Sequence, residues 1–268
     1  MVNTAWLRVV VNPELRILKL CILAALPVLL LGCTVLRLHS PLPRKFESSV
    51  QIPGMPEVRA WGDEFSPVFQ KDAIEAREQQ NKNGLFEKTG VVNILAISGG
   101  GGDGAFGAGL LCGWTATGTR PSFKLVTGVS TGALTAPFAF LGPAYDDMLK
   151  QVYTTITTKD IFRLKSLLAI LLRPDAIVLN DPLAKLTAEI VDEKMLKDVA
   201  TEHLKGRRLL ISTTALDAQR PVVWNMGAIA ASGHPNALGL FRDIMIASAA
   251  VPVAFPLIYI KVEAFEIQ

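Results

Sequence analysis

The sequence predicts an α/β fold with a mainly parallel central sheet, and three observations support this prediction. The run VVNILAIS at 91–98 is apolar and rich in β-branched residues, as buried strands of parallel sheets are. A helical pattern follows, and a second short apolar run, FKLVTG at 123–128, then leads into another helical pattern at 130–141. Strand, helix, strand, helix in this order favours parallel strands joined by right-handed crossovers.

The size and composition of the chain are those of one large domain. It has 268 residues, of which 50% are hydrophobic, and this is enough to bury a sizeable core. The 27 basic and 24 acidic residues leave a net charge of +3, without the dense basic stripe of nucleic-acid-binding proteins. We therefore expect no nucleic acid among its partners.

An export signal is predicted at 1–32. Basic residues precede the uncharged run LCILAALPVLLLG at 20–32, which contains a proline and is short for a bilayer core of about 30 Å. The run ends at Cys33, and LLGC resembles a bacterial lipobox, in which the cysteine receives a lipid. We expect an exported bacterial lipoprotein anchored through lipidated Cys33 and facing either the periplasm or the exterior. By resemblance to bacterial lipoproteins, the absence of an aspartate after the cysteine favours the outer membrane. A buried or signal-anchor helix with an incidental cysteine is the alternative.

Residues 33–90 are predicted to form a lipid-anchored tether and N-terminal extension, because 34–62 contains four prolines and no sustained periodicity. The folded domain is predicted to span 91–268. Within it, Cys112 has no cysteine partner, since the other two cysteines belong to the signal peptide and the lipid anchor. Cys112 is therefore expected to be a small core residue.

The remaining elements follow from capping signals and apolar spacing. They are a polar helix at 72–80, a helix start at 180–182, an amphipathic helix at 192–206, strands at 207–217 and 221–226 around a turn at 217–220, and a helix ending in IMIASAAVP.

Four consecutive glycines, Gly99, Gly100, Gly101 and Gly102, follow the first predicted strand, and Gly104 opens the next helix. This run matches a GxGxxG dinucleotide fingerprint, but the acidic residue expected about twenty positions later is absent. A phosphate-binding P-loop would need a Gly-Lys-Ser/Thr that does not follow. We favour an oxyanion hole, because residues without side chains can aim successive backbone N–H groups at one point beside a helix N-terminus. No nucleotide, metal or other cofactor is expected.

Ser130 lies between Gly128 and Gly132, in the segment TGVSTGAL, where the second predicted strand meets a helix. This GxSxG pattern is typical of a nucleophile elbow, in which larger neighbours would collide with the adjoining strand and helix. Ser130 could also be a simple helix cap. The glycine run at the end of the neighbouring strand favours the nucleophile, since an oxyanion formed at Ser130 would face those amides.

The segments AISGGGGDGAFGAGLL and LVTGVSTGAL together resemble the patatin-like phospholipases, and the likeness extends through TTALD, VVWNMG and IMIASAAVPVAFP. It covers about 91–256. The resemblance implies a three-layer α/β/α sandwich and the hydrolysis of acyl esters in lipids by a Ser–Asp dyad. It implies that Ser130 is the acylated residue and that the amides of Gly100 and Gly101 are the oxyanion donors.

The sequence departs from the family pattern in two places. The family's aspartate belongs to an Asp-Gly-Gly or Asp-Gly-Ala motif after a further strand, but the sequence stops at Gln268. We expect this C-terminal part of the domain to be missing, the aspartate to lie beyond Gln268 and the 268-residue chain to hydrolyse esters poorly. The second departure is Asp103, where many relatives carry Arg or Lys, and its carboxylate is expected to point away from the site.

Two other functions stay open. A Ser-Asp-His esterase with the residue order of α/β-hydrolases would use Asp217 and His234 beside Ser130. His203 is expected on the polar face of a helix, and His234 in a Gly/Pro-flanked loop, where a lone histidine is more often solvated than catalytic. The third hypothesis is a non-catalytic relative that binds lipid whether or not Ser130 carries its hydroxyl.

Overall fold

The computed structural model describes residues 44–84, 91–155, 163–164, 178–179, 181–252 and 255–264. The predicted signal peptide and Cys33 lie outside these residues. No helix in the described part of the chain is long and apolar enough to cross a bilayer.

The described residues form eight α-helices and nine strands. The helices are α1 (Pro67–Lys82), α2 (Gly104–Ala116), α3 (Thr131–Leu141), α4 (Asp146–Thr155), α5 (Asp181–Ile190), α6 (Glu193–Leu204), α7 (Met226–Ala231) and α8 (Ala237–Ala249). The strands are β1 (Val50–Gln51), β2 (Arg59–Trp61), β3 (Ile94–Ile97), β4 (Leu125–Val129), β5 (Arg163–Leu164), β6 (Val178–Leu179), β7 (Arg208–Ala215), β8 (Arg220–Asn225) and β9 (Glu263–Ala264).

The central sheet has five strands in the order β2-β8-β7-β4-β3. The pairs β3–β4 and β4–β7 are parallel, whereas β7–β8 and β8–β2 are antiparallel. The α/β class is therefore confirmed, but the sheet is mixed rather than mainly parallel. The antiparallel half arises because β7 and β8 form a hairpin, and because β2 joins β8 from the N-terminal side of the chain.

One face of this sheet carries the core. Helix α3 packs on β4, and α7 and α8 pack on β7. Large side chains such as Phe140, Ile211 and Phe241 are fully buried between these layers. The parallel strands β3, β4 and β7 direct their carboxyl ends to the same edge of the sheet, which is where a site forms in such folds.

Among the described strands β3 lies at an edge of the sheet, so the prediction of a buried strand at 91–98 is wrong. Ile94 is 59% exposed, while the alternate residues Leu95 and Ile97 pack against the core. An apolar run does not reveal whether a strand is central or lies at an edge, because both kinds present one apolar face to the core.

The folded body begins well before residue 91. Ile52, Met55 and Val58 are 5%, 3% and 3% exposed and belong to the main core, and β2 pairs with β8 at the edge of the sheet. The prediction of a tether is therefore wrong for the described residues from 44 onward. Cys112 is half-buried at the margin of the core, with its Sγ 3.7 Å from the carbonyl oxygen of Asp146, and burial raises the pKa of its thiol.

Candidate active site

Ser130 occupies the single position between β4 and α3. Its backbone has φ 56° and ψ −126°, a region that residues with a Cβ rarely adopt. The turn is tight because the strand must reverse into a helix within one residue. The serine side chain is thereby separated from both elements and half-buried at the carboxyl edge of the sheet.

The two elbow glycines are required by close backbone contacts. A Cβ at Gly128 would lie 2.5 Å from the carbonyl oxygen of Gly132, in the first turn of α3. A Cβ at Gly132 would overlap the carbonyl oxygen of Ile97 and lie 2.7 Å from that of Ser98, both at the end of β3. Any side chain at either position would therefore separate α3 from the sheet.

The glycine run of the sequence begins in contact with Ser130. A Cβ at Gly99 would lie 2.7 Å from the Ser130 Cβ and 3.3 Å from its Oγ. The contact follows from the parallel register, in which Ile97 pairs with Gly128, because it brings the carboxyl ends of β3 and β4 side by side. The glycine run, Gly99 to Gly102 with Gly104, is called the glycine loop from here on. The structure brings Ser130 and this loop together at the carboxyl edge of the sheet.

Beyond Gly99, the loop turns into the N-terminus of α2. Gly101 has φ 57°, and a short 3-10 turn, Gly101–Asp103, precedes the helix. Gly100 and Gly101 make no backbone N–H hydrogen bond within the described part of the chain. Asp103 is exposed, and its Cβ lies 3.3 Å from the position that a Cβ on Gly100 would take, so this carboxylate is beside the loop.

Two residues that the sequence interpretation gave no role support the elbow. The hydroxyl of Ser248, near the end of α8, accepts the backbone N–H of Ser130 at 2.9 Å and donates to the carbonyl oxygen of Ser212 at 2.7 Å. Tyr153 of α4 hydrogen-bonds Thr135 of α3 at 2.8 Å. Its hydroxyl also lies close to Gly104, at 3.0 Å from the position that a Cβ there would take. Ser248 lies within IMIASAAVP, a segment whose resemblance to the family could be recognised from the sequence. The hydrogen bond from Ser130 to Ser248 could not be predicted in the same way.

The histidines and Asp217 are not brought to Ser130. His203 ends α6 at the amino end of β7, whereas Val129 pairs with Ser212 toward its other end. Asp217 lies in the exposed turn after β7. His234 follows α7, which begins directly after β8. The end of β8 lies beside the amino end of β7, so His234 is on that side of the sheet, and its ring packs on Gly54. Asp217 and His234 therefore lie at opposite ends of the strands β7 and β8, which argues against an esterase triad.

His203 is buried, so the expectation that it lies on the polar face of its helix is wrong. It is 7% exposed because α7 packs over that side of α6, and Gly227 lies directly against its Nδ1. This nitrogen has no hydrogen-bond partner among the described residues. Burial, reinforced by the positive charge of Arg208, lowers the pKa of His203 to about 4 from its usual 6.5.

This shift predicts a loss of stability in mild acid. Between pH 6.5 and 4 the unfolded chain binds a proton at residue 203 that the folded chain excludes, so the free energy of unfolding falls as the pH falls through this window. The fall from pH 7 to pH 5 should be about 2 kcal/mol from this residue. Urea unfolding at the two pH values tests it: the His203→Gln variant should lose about 2 kcal/mol less than the wild type, and an equal loss would contradict the assignment.

An open cavity of about 440 Å³ adjoins the site. It is lined by three consecutive residues from each of three neighbouring chain segments, 96–98, 127–129 and 210–212, and by one residue of β8. Its lining is mainly apolar and includes Ala96, Thr127, Leu210 and Val223, and it reaches Val129, directly before Ser130. Its volume is within the range of about 300–1,000 Å³ that small-molecule sites occupy.

The chain was compared with models of known protein families. The family model described as patatin-like phospholipase matches residues 95–265, which is more than half of the chain. The matched region contains all of β3 except Ile94, together with the glycine loop, Ser130 and Ser248. No curated protein matches the chain.

Proposed function

Because the chain belongs to the patatin-like phospholipase family, we propose that it is a serine acyl hydrolase of lipid esters with Ser130 as its nucleophile. The observation that carries the proposal is the contact between the glycine loop and a serine in a strained elbow. A serine that only capped a helix would need neither the unusual backbone conformation nor glycine at the end of the neighbouring strand.

In the proposed reaction, Ser130 Oγ attacks the carbonyl carbon of the ester. The hydroxyl proton passes to a base, the tetrahedral intermediate collapses with loss of the alcohol, and water then hydrolyses the acyl-serine. The family's Ser–Asp dyad implies an aspartate as the base. No carboxylate or imidazole within the described residues is hydrogen-bonded to Ser130 Oγ.

The oxyanion donors that we propose are the amides of Gly100 and Gly101, as the family resemblance implies. The backbone N–H of Ser130 is already bonded to Ser248, so it is not available to the intermediate. Gly100 and Gly101 directly follow Gly99, which lies against Ser130, and they precede the N-terminus of α2. Each such donor typically contributes about 3 kcal/mol to transition-state stabilisation.

The cavity that adjoins the site supports a lipid substrate. Its apolar lining begins next to Ser130 and gives an acyl chain a place to lie while its carbonyl carbon meets the hydroxyl. We propose that the acyl chain, rather than the head group, occupies it. A non-catalytic lipid-binding relative would use the same cavity, so the two functions differ in the reactivity of Ser130.

Labelling with a fluorophosphonate probe tests the proposal, because the probe modifies only activated serines. The protein is expressed from its gene read to the stop codon, and this protein is called the complete gene product. The probe should label it at Ser130, and peptide mass spectrometry locates the labelled residue. Long-chain esters should compete better than acetyl esters. Ser130→Ala should abolish the labelling, while Ser232→Ala, which removes a hydroxyl at the C-terminal cap of α7, should leave it intact.

Absence of label at Ser130 in the complete gene product would overturn the proposal and favour the lipid-binding hypothesis. The 268-residue chain is labelled in parallel, and its rate shows whether it contains the base. Strong labelling of this chain would mean that the base lies within it, which would contradict the expectation of an aspartate beyond Gln268.

A further inference from the structure

The elbow needs a restraint, because Ser130 adopts a conformation that a serine in a regular strand does not adopt. Such conformations persist only where the surrounding structure fixes them. The elbow glycines remove steric conflicts but form no bond that holds the serine itself. Two described hydrogen bonds hold its backbone: the carbonyl oxygen of Ser130 accepts the N–H of Ala133 in the first turn of α3, and the N–H of Ser130 donates to the hydroxyl of Ser248.

The hydrogen-bond pattern between β4 and β7 shows what this hydroxyl replaces. The N–H of Arg208 donates to the carbonyl oxygen of Lys124, which fixes the phase of the parallel ladder. In a parallel ladder this pattern repeats every two residues along both strands. The N–H groups of residues 126 and 128 in β4 therefore face the carbonyl oxygens of residues 208 and 210 in β7. The next bond in the series would join the N–H of Ser130 to the carbonyl oxygen of Ser212.

At that step the hydroxyl of Ser248 bridges the two groups. It accepts the N–H of Ser130 and donates to the carbonyl oxygen of Ser212. A serine inside a helix commonly bonds a carbonyl of its own preceding turn, but both bonds of this hydroxyl leave α8. Phe241 and Ile244 are fully buried along the same helix, so α8 holds Ser248 in a fixed place.

We propose that Ser248 is a positioning residue for the nucleophile: its hydroxyl is inserted into the β4–β7 ladder and keeps the chain from continuing as a strand through Ser130. This inference rests on the proposed role of Ser130 as the acylated residue. Ser248 acts through the backbone of Ser130, and it exchanges no proton with the substrate.

Removing the hydroxyl should let the ladder close. In Ser248→Ala the N–H of Ser130 can bond the carbonyl oxygen of Ser212 directly, which extends β4 by one residue and moves Ser130 Oγ away from the glycine loop. A displacement of about 1 Å can lower a reaction rate about 100-fold. We expect kcat to fall by about that factor with little change in KM, since the acyl-chain cavity is untouched.

Two further variants serve as controls. Ser248→Thr keeps the hydroxyl and should retain the wild-type backbone at Ser130 and most of kcat. Ser232→Ala is the matched control, because the Ser232 hydroxyl also accepts a backbone N–H, from His234 at 3.2 Å, and donates to a carbonyl oxygen, of Ile229 at 2.7 Å. It lies at the opposite end of α8 from Ser248, and its loss should leave kcat unchanged.

The experiment combines kinetics with a conformational measurement on the complete gene product and its three variants. The HN–Hα coupling and backbone chemical shifts of isotopically labelled Ser130 report its φ, whether or not the protein is active. We expect a positive φ in the wild type, Ser248→Thr and Ser232→Ala, and a negative φ with reduced kcat in Ser248→Ala. A positive φ in folded Ser248→Ala would overturn the inference, even if activity were lost.

The conformational measurement separates this inference from the proposed function. If Ser130 were unreactive in every variant, the proposed function would fail, but a change of φ confined to Ser248→Ala would still support the bridge. If Ser130 were reactive and Ser248→Ala retained both the wild-type kcat and the wild-type φ, only the bridge would fail.

Discussion

Replacing Ser130 with glycine should make the protein more stable and inactive at the same time. A residue with a Cβ at φ 56° and ψ −126° costs about 1–3 kcal/mol, and glycine accepts this conformation without steric conflict. Glycine also loses more backbone entropy on folding, by up to about 1 kcal/mol. The net expectation is a gain of about 1 kcal/mol in the free energy of unfolding by urea, with ester hydrolysis reduced about 1,000-fold or more.

Two variants isolate the cause of this effect. Ser130→Ala removes the same hydroxyl but keeps a Cβ, so it should lose hydrolysis without the gain in stability. Gln219→Gly relieves a second positive φ, 55°, in the exposed turn after β7, and should gain about 1 kcal/mol with hydrolysis unchanged. If Ser130→Gly and Ser130→Ala proved equally stable, the elbow would store no strain.

The part of the site that could be predicted from sequence is the part formed by neighbours along the chain and by adjacent parallel strands. Glycines on both sides of Ser130 indicate a tight elbow, and successive parallel strands end at the same edge of a sheet, so the glycine loop was expected beside the serine. Both expectations depend only on backbone geometry. Local pattern is sufficient for such features.

Features that depend on packing between distant segments could not be predicted. Ser248 contacts Ser130 across 118 positions, and the contact exists only because α8 runs back toward the carboxyl edge of the sheet. The helical pattern around His203 does not show that α7 covers it. Likewise, nothing in the three residues of β2 indicates that they pair with β8. A periodic pattern identifies an element and leaves its neighbours unspecified.

Gly132→Ala should be the most damaging single-methyl substitution at the elbow. The added Cβ would overlap the carbonyl oxygen of Ile97 and approach that of Ser98 to 2.7 Å, and backbone atoms of a strand cannot move aside as a flexible side chain can. We expect the free energy of unfolding by urea to fall by about 3 kcal/mol. Gly113→Ala is the matched control, since that position in α2 is open and exposed, and it should gain about 1 kcal/mol.

The same methyl group should reduce catalysis in the molecules that stay folded. Ile97 and Ser98 lead directly into the glycine loop, so pushing them away from α3 also moves the amides of that loop relative to Ser130. We expect kcat per folded molecule, with the folded fraction taken from the urea curve, to fall about 100-fold. A variant that lost 3 kcal/mol of stability but kept the wild-type kcat per folded molecule would show that the loop and the serine need not be held in register for the reaction.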